Sequence, residues 1–229
     1  AYQNIPTELT ASGRVSSALP LDIITEVSGR MMQGGISLNA GRQFQKGTLL
    51  FKIDDTEARL RLQASKSSFM KDIASVLPDF KIDFPESYEV WQSYFNALEV
   101  DKPLADLPKY KNSKEKTFLA TKNILNVYYT IKSNEANLQK YNVYAPFSGT
   151  IAEVNMQIWS FVNPGSKVAK VIKTSVLELN VAVEPNDIQW VKQGSTVNVT
   201  TEAGDMEWKG TVVRIGDMLN SNTQALDVF

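Results

Sequence analysis

Three sets of residues in this 229-residue chain have types and spacings that suggest chemistry. Asp54, Asp55 and Glu57 put three carboxylates into four positions, the kind of cluster that acid–base catalysis needs. Met31 and Met32, with Met156 further on, offer thioethers, which are soft ligands suited to Cu(I). Gly29, Gly34, Gly35, Gly41 and Gly47 fall within 19 residues, a density that invites comparison with a phosphate-binding loop.

Each set has a plainer explanation. The carboxylates stand immediately before a helical pattern, where acidic side chains cap free N–H groups and interact favourably with the helix dipole. Strand alternation points Met31 and Met32 to opposite faces, so both cannot line one site, and core filling is the better account. The glycines match neither GxGxxG nor GxxxxGK[ST], and no helix opens directly after them; they suit turns between short strands. The expectation is therefore no catalytic residue, no metal site and no cofactor. Composition agrees: with no cysteine and no histidine, thiolate sites, thiol nucleophiles and the usual neutral-pH base are excluded. A net charge of −1, from 24 basic and 25 acidic residues, gives no field to attract nucleic acid. Asn198-Val199-Thr200 is formally a glycosylation sequon but falls in a strand pattern.

The elements around these residues contain a repeat. Residues 24–54 and 143–173 each give a short β-like run, Ser-Gly (Ser28-Gly29, Ser148-Gly149), another run, a turn, a Lys/Pro-Gly corner (Gly47, Gly165) and an apolar strand. The two glycines are 18 residues apart in one copy and 16 in the other. Two copies are too few for a solenoid, so two halves should close into one sandwich, with Gly29, Gly47, Gly149 and Gly165 at its turns. Residues 7–14 and 21–27 are also expected to be strands.

Between the copies lies an 86-residue insertion, 55–140. Leu62, Phe69, Ile73 and Val76 predict a helix over 54–77, ended by Pro78. Ile124, Tyr128, Ile131 and Leu138 predict a second over 113–140, able to zip antiparallel to the first, with Lys66 and Glu135 diluting the seam. Residues 78–112 carry four prolines and interrupt the pair. Within them 85–99 predicts a shorter helix with Val90, Trp91, Tyr94, Phe95 and Leu98 on one face. Trp91, Tyr94 and Phe95 could form a ligand-binding stripe, but packing of this aromatic face on the hairpin is the better account. Seven acidic residues against four lysines make this section mildly acidic, as a solvated surface would be. After the second copy, 177–184, a short helix at 184–194 with Ile188 and Val191 inward, and the strands of 195–202 and 208–216 suggest a small antiparallel barrel lacking its closing strands. QALDVF (224–229) reads as a strand just begun. The chain shows no run long and apolar enough to span a bilayer, and its N-terminus reads as neither a signal peptide nor a transit sequence.

The segment Tyr144-Ala145-Pro146-Phe147-Ser148-Gly149-Thr150-Ile151 resembles an A-P-F-x-G-x-I signature, and Gly47 to Asp54 resembles G-x-x-L-x-x-I-D. With Ile188-x-x-Val191-x-x-Gly194-x-x-Val197-x-Val199 and Gly210-Thr211-Val212-x-Arg214-Ile215, in this order, they resemble the periplasmic adaptor subunits, or membrane fusion proteins (HlyD-like), of tripartite efflux pumps, most closely the resistance-nodulation-division type. The resemblance implies a mainly β fold with an inserted α-hairpin. A lipoyl-like sandwich is expected from 21–54 and 141–174, the hairpin from 55–140 with its tip interrupted at 78–112, a β-barrel, incomplete, from 175–229, and an N-terminal strand of the barrel or membrane-proximal part from 1–20. It implies a non-enzymatic protein that bridges an inner-membrane transporter and an outer-membrane channel and self-associates into a ring. It would stand in the periplasm, held to the membrane by an anchor preceding Ala1. The family's arginine-led tip motif has no counterpart in 78–112, leaving Trp91, Tyr94 and Phe95 as the candidate channel-contact residues. The runners-up are a type I secretion adaptor, whose hairpins are longer, and a lipoyl or biotinyl carrier, whose modified lysine would occupy the turn that the insertion replaces.

Overall fold

A computed structural model of the chain describes residues 9–17, 19–220 and 223–229. In chain order the strands before the insertion are β1 (Gly13–Ser17), β2 (Pro20–Ile24), β3 (Gly29–Gln33), β4 (Gln43–Phe44) and β5 (Leu49–Ile53). The insertion is helical: α1 (Thr56–Asp83), α2 (Pro85–Ala97), α3 (Ser113–Thr121) and α4 (Ile124–Gln139). Then come β6 (Asn142–Tyr144), β7 (Gly149–Val154), β8 (Phe161–Val162), β9 (Lys167–Ile172) and β10 (Leu177–Val183). A 3₁₀ turn (Ile188–Trp190) leads to β11 (Thr196–Thr200), β12 (Glu207–Thr211), β13 (Ile215–Leu219) and β14 (Leu226–Val228). The fold divides into one unit of Asp22–Lys170 and one that combines the chain up to Leu21 with Val171–Phe229.

The repeat is realised as a strand exchange. One sheet has the order β2-β9-β7-β4 and the other β6-β5-β3-β8, so each sheet holds two strands from either copy. The hydrogen bonds repeat too. Gly47 N donates to Ala145 O at 2.8 Å as Gly165 N does to Thr25 O at 2.8 Å. Gly41 N donates to Ile151 O as Trp159 N does to Met31 O, both at 2.8 Å. Met31, Phe44, Leu50, Phe51, Ile53, Ile151, Val162 and Val168 are among the buried apolar residues of the sandwich. Gly47 and Gly165 sit at φ 82° and 86°, the left-handed region where a Cβ is penalised. Gly29 has a further reason to be glycine, since a Cβ there would lie 2.7 Å from Ile53 Cγ2.

Four sequence expectations are corrected here. The helix expected over 113–140 is two, α3 and α4, parted at Asn123, whose backbone is left-handed at φ 62°, and the strand expected over 208–216 is two, β12 and β13. The first strand lies at Gly13–Ser17 rather than 7–14, pairing with β10 from Gly13↔Val181 to Ser17↔Leu177; Thr7 and Glu8 lie outside the described residues. Pro78 does not end α1, which runs 28 residues, about 42 Å at 1.5 Å per residue. An internal proline costs about 3 kcal/mol. Continuing past it buries Phe80 completely, about 1.5–3 kcal/mol, against the rings of Phe84, Trp91 and Phe118 at 5.1–5.4 Å, each adding about 0.5–1.5 kcal/mol. The aromatic cluster outweighs the lost hydrogen bond.

In the other unit, β1-β10-β14-β13 form one antiparallel sheet and β11-β12 a separate hairpin. Val183, Val212 and Val228 form its small core, with Ile188 and Val191 packed against them as the sequence pattern predicts. Arg214 lies over the Phe229 ring at 3.9 Å.

Candidate docking arm

The carboxylates at the base of the arm are used in starting α1. Asp54 accepts hydrogen bonds from Thr56 Oγ1 (2.6 Å) and Thr56 N (3.1 Å), which hold its carboxyl below the usual range with help from the nearby Arg30 charge. Asp55 pairs with Arg59 and Glu57 with Arg61, both at 2.6 Å and one helical turn apart. Met31 is fully buried in the sandwich while Met32 lies on the opposite, partly exposed face, so the thioethers do not converge. Among the described residues no group of three or more His, Cys, Asp or Glu is placed to hold a metal ion.

Along the arm, Leu62, Phe69, Ile73 and Val76 of α1 meet Ile124, Tyr128 and Ile131 of α4 in one apolar cluster. Lys66 and Glu135, which dilute this stripe in the sequence, face each other across the seam at 2.6 Å, with only 6% and 18% of their side chains exposed. They also hold the segment after α2. Lys66 Nζ donates to Lys102 O at 2.6 Å, and Leu104 N donates to Glu135 Oε1 at 2.8 Å.

Residues 98–112 therefore form a strap that runs back over the arm. Lys132 Nζ donates to Leu104 O, Tyr94 OH to Ala105 O and Tyr128 OH to Asp106 Oδ1. Hydrogen bonds from Lys132 and then Tyr128 hold Asp106 below the usual carboxylate range. Burial pulls Lys132 down, but the hydrogen bond to Asp106 and neighbouring charges outweigh it and raise the ammonium. Burial, foremost, raises the phenols of Tyr94 and Tyr128.

At the far end Glu115 is fully buried, and three donors converge on its carboxylate: Trp91 Nε1 (2.9 Å), Ser87 Oγ (3.1 Å) and Lys111 N (2.8 Å). One side chain thus ties α2, the strap and α3 together. Its backbone N–H is capped by Asn112 Oδ1 at 2.9 Å. The N112-x-x-E115 spacing would have marked a helix start in the sequence. That the glutamate points inward has no sequence signal.

The aromatic face of α2 is placed differently from a channel-contact surface. Trp91 and Tyr94 are 1% and 8% exposed, Phe95 is half-buried, and all three pack into the arm; Val90 faces solvent. The reason is the fold of 78–112 itself. Residues 78–83 complete α1, and from Phe84 onward the chain doubles back beside it, giving the thin seam a second apolar layer. What the far end does present is a row of lysines beside the exposed Asp83 and Glu86. Lys109, Lys111, Lys114 and Lys116 are exposed and make no ion pair among the described residues, and Tyr110 stands between them, 46% exposed with Lys116 Nζ 5.7 Å from its ring. Because Glu115 is turned inward, its charge is withheld from this row.

No family model matches the chain. Among curated proteins it is 22% identical over 194 residues to the cation efflux system protein CzcB of an Alcaligenes species, covering 82% of this chain and 35% of that one. It is 22% identical over 199 residues to the multidrug resistance protein MdtA of Photorhabdus laumondii, covering 86% and 46%. Among solved structures it overlays on MacA from Actinobacillus actinomycetemcomitans with a TM-score of 0.65 at 18% identity, covering 96% of this chain and 70% of that one. The chain spans between about a third and a half of the curated relatives it matches. The overlay shows a shared fold: split sandwich, helical arm and small β unit. Among the described residues no helix is long and apolar enough to cross a membrane.

Proposed function

We propose that this chain, a periplasmic adaptor of the membrane fusion protein family, links an inner-membrane efflux transporter to an outer-membrane channel and works by assembly and coupling rather than by catalysis. The observation that carries the reading is the place of the arm. It leaves the sandwich after β5 and returns at β6, where a carrier domain of the same build would present its modified lysine on a tight turn. The relatives named for cation efflux and multidrug resistance support the same reading. In it, the chain is held to the inner membrane by an anchor, several copies surround the transporter, and the far end of the arm meets the channel. We assign the channel contact to Tyr110 and the lysines at 109, 111, 114 and 116, in place of the buried Trp91 and Tyr94.

Purification of the full-length protein from membranes, with identification of what accompanies it, tests the reading. A co-purifying inner-membrane transporter, and loss of efflux when the gene is deleted, are expected. Efflux unchanged by the deletion, with no transporter recovered, refutes it. Replacing Lys109, Lys111, Lys114 and Lys116 by glutamate should abolish channel recovery while transporter recovery persists; retention of both would move the channel contact elsewhere.

A further inference from the structure

The sandwich contains its own control. Its two copies build the same turn with matching hydrogen bonds: Gly41 N to Ile151 O and Ile151 N to Arg42 O in one, Trp159 N to Met31 O and Met31 N to Ser160 O in the other. In the first copy the left-handed position is Gly41 (φ 82°), followed two residues later by Gln43. In the second it is Trp159 (φ 76°), followed by Phe161. A tryptophan is strained where its counterpart shows that glycine serves. Nor does the ring gain from burial, since Trp159 is 66% and Phe161 65% exposed. Backbone strain kept together with two bare aromatic rings marks a surface selected for contact rather than stability.

The surroundings describe what fits. Phe161 is paired across the ladder with Arg30, which is exposed and makes no ion pair among the described residues. Both line a cleft of about 520 Å³ at the root of α1 with Tyr141, Arg61, Asp54 and Glu57; Glu57 is taken up by Arg61, and Arg30 lies near the Asp54 charge without an ion pair to it. The outward side of the other sheet carries the opposite dressing. On β2 and just beyond it, Ile23, Thr25 and Val27 point inward, leaving Asp22, Ile24 and Glu26 outward: an exposed apolar side chain between two carboxylates, each held only by a surface lysine. One body thus carries two unlike, complementary surfaces, which is what a head-to-tail contact that closes into a ring requires.

We propose that the edge formed by Trp159, Phe161 and Arg30 is the contact surface for a second copy of this chain, which it meets at the Asp22, Ile24 and Glu26 row. This rests on the adaptor reading only in that a ring of copies is part of it.

The internal repeat also supplies the test. Trp159→Gly with Phe161→Gln rewrites the second turn as the first, and should leave the circular dichroism unchanged and the melting temperature equal or higher. In sedimentation of the 229-residue chain over a concentration series, the same variant should weaken self-association by about tenfold or more. Arg30→Glu should weaken it as well, and Arg30→Glu with Glu26→Arg should restore it. A wild-type chain that stays monomeric throughout the series, an aromatic variant that associates as the wild type does, or a charge swap without rescue each overturns the proposal. Failure here with efflux still dependent on the gene leaves the adaptor reading standing. Association through this surface, with efflux indifferent to the gene, refutes the adaptor and keeps the contact.

Discussion

Lys66 Nζ lies 2.6 Å from Glu135 Oε1 across the α1–α4 seam, and the same two side chains hold Lys102 O and Leu104 N of the strap. The pair is nearly closed to water, so each charge has lost most of its hydration. It therefore locks the register of the two helices and the position of the strap more than it adds net stability.

Removing one partner should cost far more than removing both. Glu135→Leu is expected to destabilise the arm by about 3–5 kcal/mol in chemical denaturation, because it strands the Lys66 ammonium. Lys66→Met combined with Glu135→Leu should recover the larger part. The unpaired Leu104 N–H keeps a residual cost of about 1–3 kcal/mol.

Glu115→Ala should loosen the far end of the arm while sparing the sandwich. It leaves the indole N–H of Trp91 and the hydroxyl of Ser87 buried without their acceptor, at about 1–3 kcal/mol each, and frees the amide of Lys111. The expected signature is faster amide exchange across 84–118 with exchange in β3, β5, β7 and β9 unchanged.

The strap should respond to acid but not to moderate base. Asp106 is lowered in the folded chain, so its contribution is present above the unfolded carboxyl value of about 3.9 and is lost as pH falls through the lower folded value. Lys132 is raised, so its contribution is present below about 10.4 and is lost only above that. Amide exchange in 101–107 should be flat from about pH 5 to 9 once corrected for intrinsic rates, and accelerate below about pH 4. Asp106→Asn should abolish the acid limb.

Glycine positions should separate strain from crowding. Gly165→Val meets open space but keeps a left-handed φ, for about 1–2 kcal/mol. Gly29→Val adds the clash with Ile53 and should cost more. Melting curves of the two variants, read side by side, check the order.

The sandwich was legible because its information is local. Ser-Gly, the Lys/Pro-Gly corners and alternating apolar residues each specify a turn or a face, and the repeat says that the faces belong together. The seam of the arm was legible for the same reason, including the positions of Lys66 and Glu135. Pro78 misled because its penalty is visible in the sequence while its compensation, the rings of Phe84, Trp91 and Phe118 around Phe80, depends on contacts up to 38 positions away. Periodicity places Trp91 and Tyr94 on one face of a helix, but it does not distinguish a face that meets a partner from one that meets its own chain. Trp159 carries no sequence signal of its left-handed backbone; only its equivalence to Gly41 reveals it.

The exchange of strands between the sheets has a kinetic consequence. Of the six neighbouring strand pairs in the sandwich, four join segments on opposite sides of the arm: β2-β9, β7-β4, β6-β5 and β3-β8. Their contact order is high, and an unstructured connection of this length would make them slow to meet. Zipping α1 onto α4 removes that delay, because it brings Ile53 N to within 2.7 Å of Tyr141 O and hands β5 its neighbour β6. The arm that reaches towards partners is thereby also the scaffold on which the split module nucleates, and a flexible linker of equal length would be a poor substitute for it.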